Sequence, residues 1–108
     1  MLHRIPKNEA PAAIAARRPF RTTRTFHAQY LTAATASRTG RLHPTERARW
    51  HADWADSDGR MYAVWSYSTP IAWWTHRTGW HIPAEDHTPT TRKHKTRLRL
   101  IAPAPDAA

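Results

Sequence analysis

Within the twelve residues PTTRKHKTRLRL, positions 89–100, stand five cations: Arg92, Lys93, Lys95, Arg97 and Arg99. Guanidinium and ammonium groups at this density suit the phosphates of a polyanion. A helix capped by Thr90 or Thr91 would carry them as a broad basic wrap around a narrow Leu98/Ile101 stripe. A second basic group, Arg17, Arg18, Arg21 and Arg24, lies in the first quarter of the chain. The formal net charge of +9 is split accordingly. Residues 1–49 hold ten basic and two acidic groups, residues 50–89 two and five, and residues 90–108 five and one. Charge thus collects at the two ends, flanking a slightly acidic middle that contains all six tryptophans, Trp50, Trp54, Trp65, Trp73, Trp74 and Trp80. The nine cations predict binding of nucleic acid, or of a nucleoprotein such as the ribosome, through backbone phosphates. RNA and DNA are not distinguished by such contacts.

The remaining reactive side chains point to less. Eight histidines invite a metal, but His76, His81, His87 and His94 match no compact zinc spacing, and with no cysteine there is no thiolate. Nearby carboxylates are limited to Glu85 and Asp86, so no metal and no cofactor are expected. Asp86, His87, Pro89, His94 and Lys95 bear a superficial resemblance to metal-dependent HNH nucleases. Those enzymes place a long glycine-containing hairpin and an asparagine between their histidine segments, where this chain has six residues and no asparagine. The three glycines, Gly40, Gly59 and Gly79, all sit in turn-like sequence, and no phosphate loop or nucleophile elbow occurs. An enzyme is not expected.

The elements that must carry these groups fit one small domain, because 108 residues build a single core. No apolar run is long enough to span a bilayer and the first residues lack the apolar stretch of a signal peptide, so a cytoplasmic protein with no membrane contact is expected. Residues 1–19, rich in Pro, Ala and Arg, read as a flexible basic arm, although APAAIAARR could start a short helix at Pro11. Alternation of Phe26, Ala28 and Tyr30 with His27 and Gln29 predicts a strand over 22–31, and TAATASRTG reads as a loop. A helix over 45–57 is signalled by Pro44 at its start, Glu46 as a capping-box acid and Gly59 at its end. Its Trp50 and Trp54 share one face, suited to packing on a sheet. MYAVWSY, IAWWT and GWHIP then read as three antiparallel strands up to residue 83, with STP and THRTG as turns. The expected fold is α+β: an antiparallel sheet of about four strands with two helices over residues 20–101, followed by a frayed tail at 102–108.

Two of these motifs carry a resemblance. SYSTPIA at 66–72, followed about twenty residues later by TPTTRKHKTRL, resembles the pattern of a family of small uncharacterised proteins of actinobacteria and their phages, in which a SYGTPIA-like hairpin precedes a TTSKHQ-like helix start. RRPF at 17–20 fits that family's opening, so the resemblance spans roughly residues 17–100. It implies Tyr67, Thr69, Pro70, Thr91 and His94 as signature residues. Ser68 stands where the family has glycine, and Arg92 and Lys95 where it has serine and glutamine. No activity comes with the resemblance; it implies a phage or mobile-element protein, acting in host takeover or as a nucleic-acid accessory factor. Two readings of the signature compete. Thr69 and Pro70 could form a tight turn that His94 locks to a helix capped by Thr91, or Tyr67, Thr69, Thr91 and His94 could form a polar patch where rings stack on unpaired bases. A different class of function would use exposed tryptophans and arginines to inhibit a host protein. Trp73 and Trp74, adjacent on a strand, must point to opposite faces.

Overall fold

Six consecutive buried residues, Met61–Ser66, form a strand whose two faces are both covered, and this decides the architecture. The computed structural model describes residues 2–23 and 26–83. The expected C-terminal helix and tail, with Thr91, Arg92, Lys93, His94, Lys95, Arg97 and Arg99, lie outside them, as does Arg24. Five antiparallel strands, β1 (Phe20–Thr23), β2 (Phe26–Tyr30), β3 (Met61–Ser66), β4 (Thr69–Thr75) and β5 (Gly79–His81), form one meander in chain order. One face packs on α1 (Ala10–Ala15) and the other on α2 (Pro44–Asp56). The fold is α+β, as expected, with five strands rather than about four. The extra strand arises because the segment expected as a single strand over 22–31 begins earlier and folds back on itself, pairing Phe20 with Ala28 and Arg21 with His27.

Residues 2–19 do not stand apart as an arm. Ala10, Ala13 and Ile14 recur at helical spacing and enter the core beside Phe20, Tyr62 and Val64. Upstream, the Ile5 amide donates to the Arg21 carbonyl and the Arg21 amide to that of His3, which lays residues 3–5 along the outer edge of β1. Helix α1 stops with Arg18 N–H donating to Ala13 and Arg17 N–H to Ile14, the paired bonds of a Schellman cap. Arg17 therefore takes the left-handed position usually given to glycine, at φ 53°.

Helix α2 begins at Pro44, where the missing amide costs nothing. Its cap is the His43 ring, whose Nδ1 accepts from the Thr45 amide; Glu46, expected to close a capping box, turns instead to His81. Trp50 is fully buried between Trp65 and Trp73, in edge-on contact with both at centroid distances of 5.9 and 5.1 Å, an arrangement that aromatic quadrupoles favour. Trp54, on the same helix face, is half-buried.

The expected turn at Thr69–Pro70 moves by two residues. Ser66 pairs with Thr69, so the β3–β4 turn is Tyr67–Ser68, and Pro70 lies inside β4. An internal strand tolerates proline only where the ladder is already broken. The break is a bulge: Val64 faces Ala72 and Trp65 faces Pro70, leaving Ile71 as the extra residue. Beyond it, Trp73 faces α2 and is fully buried, while Trp74 lies half-buried on the α1 side. Among the described residues no helix is long and apolar enough to cross a membrane.

Candidate nucleic-acid interface

Cross-strand register places three side chains in one row on the α2 face of the sheet. Arg21 of β1 lies opposite His27 of β2, and His27 opposite Trp65 of β3; directly paired residues project to the same side. The imidazole of His27 lies parallel to the Trp65 indole, 5° between planes and 5.0 Å between centroids. Trp65 is 1% exposed, so the accessible ring of this stack is the histidine. Burial, reinforced by the nearby Arg38 guanidinium, holds the His27 pKa below its usual value. The ring is thus neutral at physiological pH, since both effects disfavour its charged form.

The segment 36–41 walls this platform, and the tryptophans hold it there. Trp50 Nε1–H donates to the Ala36 carbonyl at 2.7 Å and Trp65 Nε1–H to that of Arg38 at 3.0 Å. From the opposite side, the Arg41 amide donates to Thr69 Oγ1 at 2.9 Å. Gly40 runs so close to the β3–β4 turn that a Cβ there would overlap the Ser68 carbonyl and the Thr69 hydroxyl. The result is an open depression of about 440 Å³ between residues 37–40, the His27/Trp65 stack and the Tyr67–Ser68 turn. Its far wall is Tyr67, which is 52% exposed and makes no hydrogen bond among the described residues. Tyr67 also holds φ at 57° while Ser68 stays outside the left-handed region. A bulky residue rarely adopts that backbone conformation.

Of the cations expected to bind phosphate, the described ones are not gathered in one place. Arg21 is exposed in the row above the depression. Arg17 belongs to the opposite side of the sheet, its guanidinium 4.2 Å from the Trp74 ring centroid, where a cation–π contact occupies it. Arg18 is exposed, and its carbonyl accepts from the Tyr62 hydroxyl at 2.7 Å. Burial of Tyr62 pushes its pKa well up and keeps that proton in place. In the signature set, Tyr67 and Thr69 separate by role: the first is an exposed ring, the second a tie to Arg41. Sequence reasoning missed Arg38, Arg41, Gly40 and His27. Arg38, Arg41 and Gly40 have no local signature, because each acquires its place through contacts with residues far along the chain.

Elsewhere, His81 Nε2 lies 2.7 Å from Glu46 Oε2 and Trp73 Nε1–H donates to Asp53 at 2.8 Å, bonds that fasten α2 to β5 and β4. Ion pairs among the described residues also draw on α2 and the residues just after it: Arg49 with Asp53, and Arg77 with Asp56 and Asp58. No group of three potential metal ligands gathers among the described residues. None of the six tryptophans is exposed: Trp50, Trp65 and Trp73 are at most 1% exposed, and Trp54, Trp74 and Trp80 are half-buried.

No curated protein and no solved structure matches the chain. Residues 49–100, just under half of the chain, match the model of a family of unknown function, DUF8033. The described part of that match runs from the middle of α2 through β3, β4 and β5, so it contains the β3–β4 turn with Tyr67 and omits the Arg21/His27 row and the 36–41 wall.

Proposed function

We propose that the protein binds nucleic acid, free or within a nucleoprotein, chiefly through backbone phosphates, as a small cytoplasmic accessory factor. The motif resemblance adds a context, a phage or other mobile element of actinobacteria. The observation that carries the reading is where the cations are left without carboxylates. Arg18, Arg21, Arg38 and Arg41 are exposed and enter no ion pair among the described residues, as is true of Arg4, Lys7, Arg47 and Arg60, whereas Glu46, Asp53, Asp56 and Asp58 each have a partner. Unpaired surface guanidinium groups are the residue type that forms bidentate contacts with phosphate.

The test is fluorescence anisotropy with labelled single-stranded RNA, single-stranded DNA and duplex DNA of about twenty nucleotides, across a salt series. Each phosphate contact should contribute about 0.7–0.9 to the slope of log K against log salt. Substituting alanine for Arg21, Arg97 or Arg99 should reduce that slope by about one contact each. Binding that does not weaken as salt is added, or no binding at low salt, would refute the reading.

A further inference from the structure

Phosphate contacts leave the depression beside Tyr67 unexplained, since a salt-dependent grip needs no concave aromatic site. Three features of it point to a flat, partly charged ligand. The Tyr67 ring stands half-exposed on a backbone of positive φ, and strained residues held in place by their surroundings cluster at ligand sites. The imidazole of His27, stacked on Trp65, lines the same depression. Arg38 lines the same depression, and Arg21 stands next to His27 in the cross-strand row, just outside that lining. A volume of about 440 Å³ falls within the roughly 300–1,000 Å³ of small-molecule sites, large enough for one nucleotide and too small for a base pair with its backbones.

We infer that this depression takes one unpaired nucleotide, its base stacked on Tyr67 and His27 and its phosphate against Arg38 and Arg21. The inference deepens the phosphate-binding reading and rests on it for the source of the nucleotide, a strand rather than the free pool. A base inside a duplex cannot present its face to such a site, because both faces are already stacked. Sequence preference should be weak, as stacking platforms accept every base.

Titration of the ¹⁵N-labelled full chain with AMP, GMP, CMP and UMP, followed by NMR, tests the assignment, with inorganic phosphate and a trinucleotide run in parallel. Shifts should concentrate at the amides of 38–41 and 66–69 and at the Trp65 indole, with mononucleotide dissociation constants of about 0.1–5 mM. Tyr67→Ala should weaken binding about 5- to 150-fold, and Arg38→Gln should lower affinity for AMP more than for adenosine. Tighter binding of the trinucleotide than of AMP identifies a strand as the source; equal affinity identifies free nucleotide. If inorganic phosphate alone reproduces the shifts, or if Tyr67→Ala binds AMP like the wild type, the assignment is overturned. Retention of full, salt-dependent oligonucleotide affinity by Tyr67→Ala would overturn it while leaving the phosphate-contact reading intact. Nucleotide shifts in the depression without salt-dependent oligonucleotide binding would do the reverse.

Discussion

The left-handed backbone of Tyr67 makes a prediction in which stability and binding part company. Ser66 and Thr69 pair across the turn, so Tyr67 and Ser68 are its two central residues, with positive φ at the first alone. This is the pattern of a type II′ turn, whose first central position favours glycine. A residue with a Cβ pays about 1–2 kcal/mol to sit there, while glycine loses about 0.5–1 kcal/mol through the extra freedom of its unfolded chain. Comparing Tyr67→Gly with Tyr67→Ala removes the ring from both and leaves these two terms. Tyr67→Gly should then be the more stable by about 0.5–1 kcal/mol, or about 2–4 °C in melting temperature for a chain of this size. At an ordinary strand or helix position the order is the opposite. Thermal unfolding by circular dichroism with matched urea titrations measures the difference. Both variants lack the ring, so both should lose nucleotide binding to the same extent. An alanine variant as stable as the glycine variant would show that position 67 is not held left-handed and would remove the argument from strain.

Three further outcomes are expected. Gly40→Ala forces a Cβ into the Ser68 carbonyl and the Thr69 hydroxyl at a residue with φ of 50°, and should cost at least about 2 kcal/mol in urea denaturation; a neutral substitution would mean that the wall does not press on the turn. Trp50→Phe leaves the Ala36 carbonyl without its donor and should destabilise by about 2–3 kcal/mol, with hydrogen exchange rising across 36–41 more than across β4. His27, whose folded pKa is held below its usual 6.5 by burial and then by Arg38, makes the unfolded chain take up a proton first as pH falls. Stability contributed by the neutral ring is therefore complete above pH 6.5 and declines below it. The loss between pH 7.5 and pH 5 should be smaller in His27→Phe, which keeps a ring over Trp65, and an unchanged pH dependence in that variant would sink the assignment.

Most elements were legible because their signals are local. Pro44 and the acid-to-glycine run after Trp54 mark α2 to within a residue or two, and alternation marks the strands. A short helix near Pro11 was legible, but the docking of α1 escaped because its six residues offer only Ala10, Ala13 and Ile14 as an apolar stripe, too little side chain to distinguish a docked helix from an alanine-rich arm. The wall of the depression escaped for a different reason. TAATASRTG has the composition of a loop and is one apart from a 3-10 turn at Thr35–Ser37, yet its position and that of the adjoining Arg41 depend on bonds to Trp50, Trp65 and Thr69 that lie 14, 27 and 28 residues along the chain from the atoms they hold. Nothing in a local window encodes these, except that a buried indole N–H requires an acceptor.

The placement of His27 follows from one inference that the sequence does support. Alternation in β2 assigns Phe26 and Ala28 to the core and His27 and Gln29 to the other side, which for a sheet covered on one face means solvent. The neighbouring segment MYAVWS does not alternate: Met61, Ala63 and Trp65 are as apolar as Tyr62 and Val64. A strand apolar on both sides must be covered on both sides, and its antiparallel partner shares that cover. A polar ring on the second face of β2 therefore has to meet the second layer, either buried and paired or at its rim. Since β2 is separated from the edge of the sheet only by the four-residue β1, the rim is the natural outcome. There the ring lies flat on the nearest large neighbour, Trp65, and is left half-buried. Combined with an arginine directly opposite on β1, this places an aromatic surface next to a cation at the boundary of the core, which is the physical content of the nucleotide site proposed for this face.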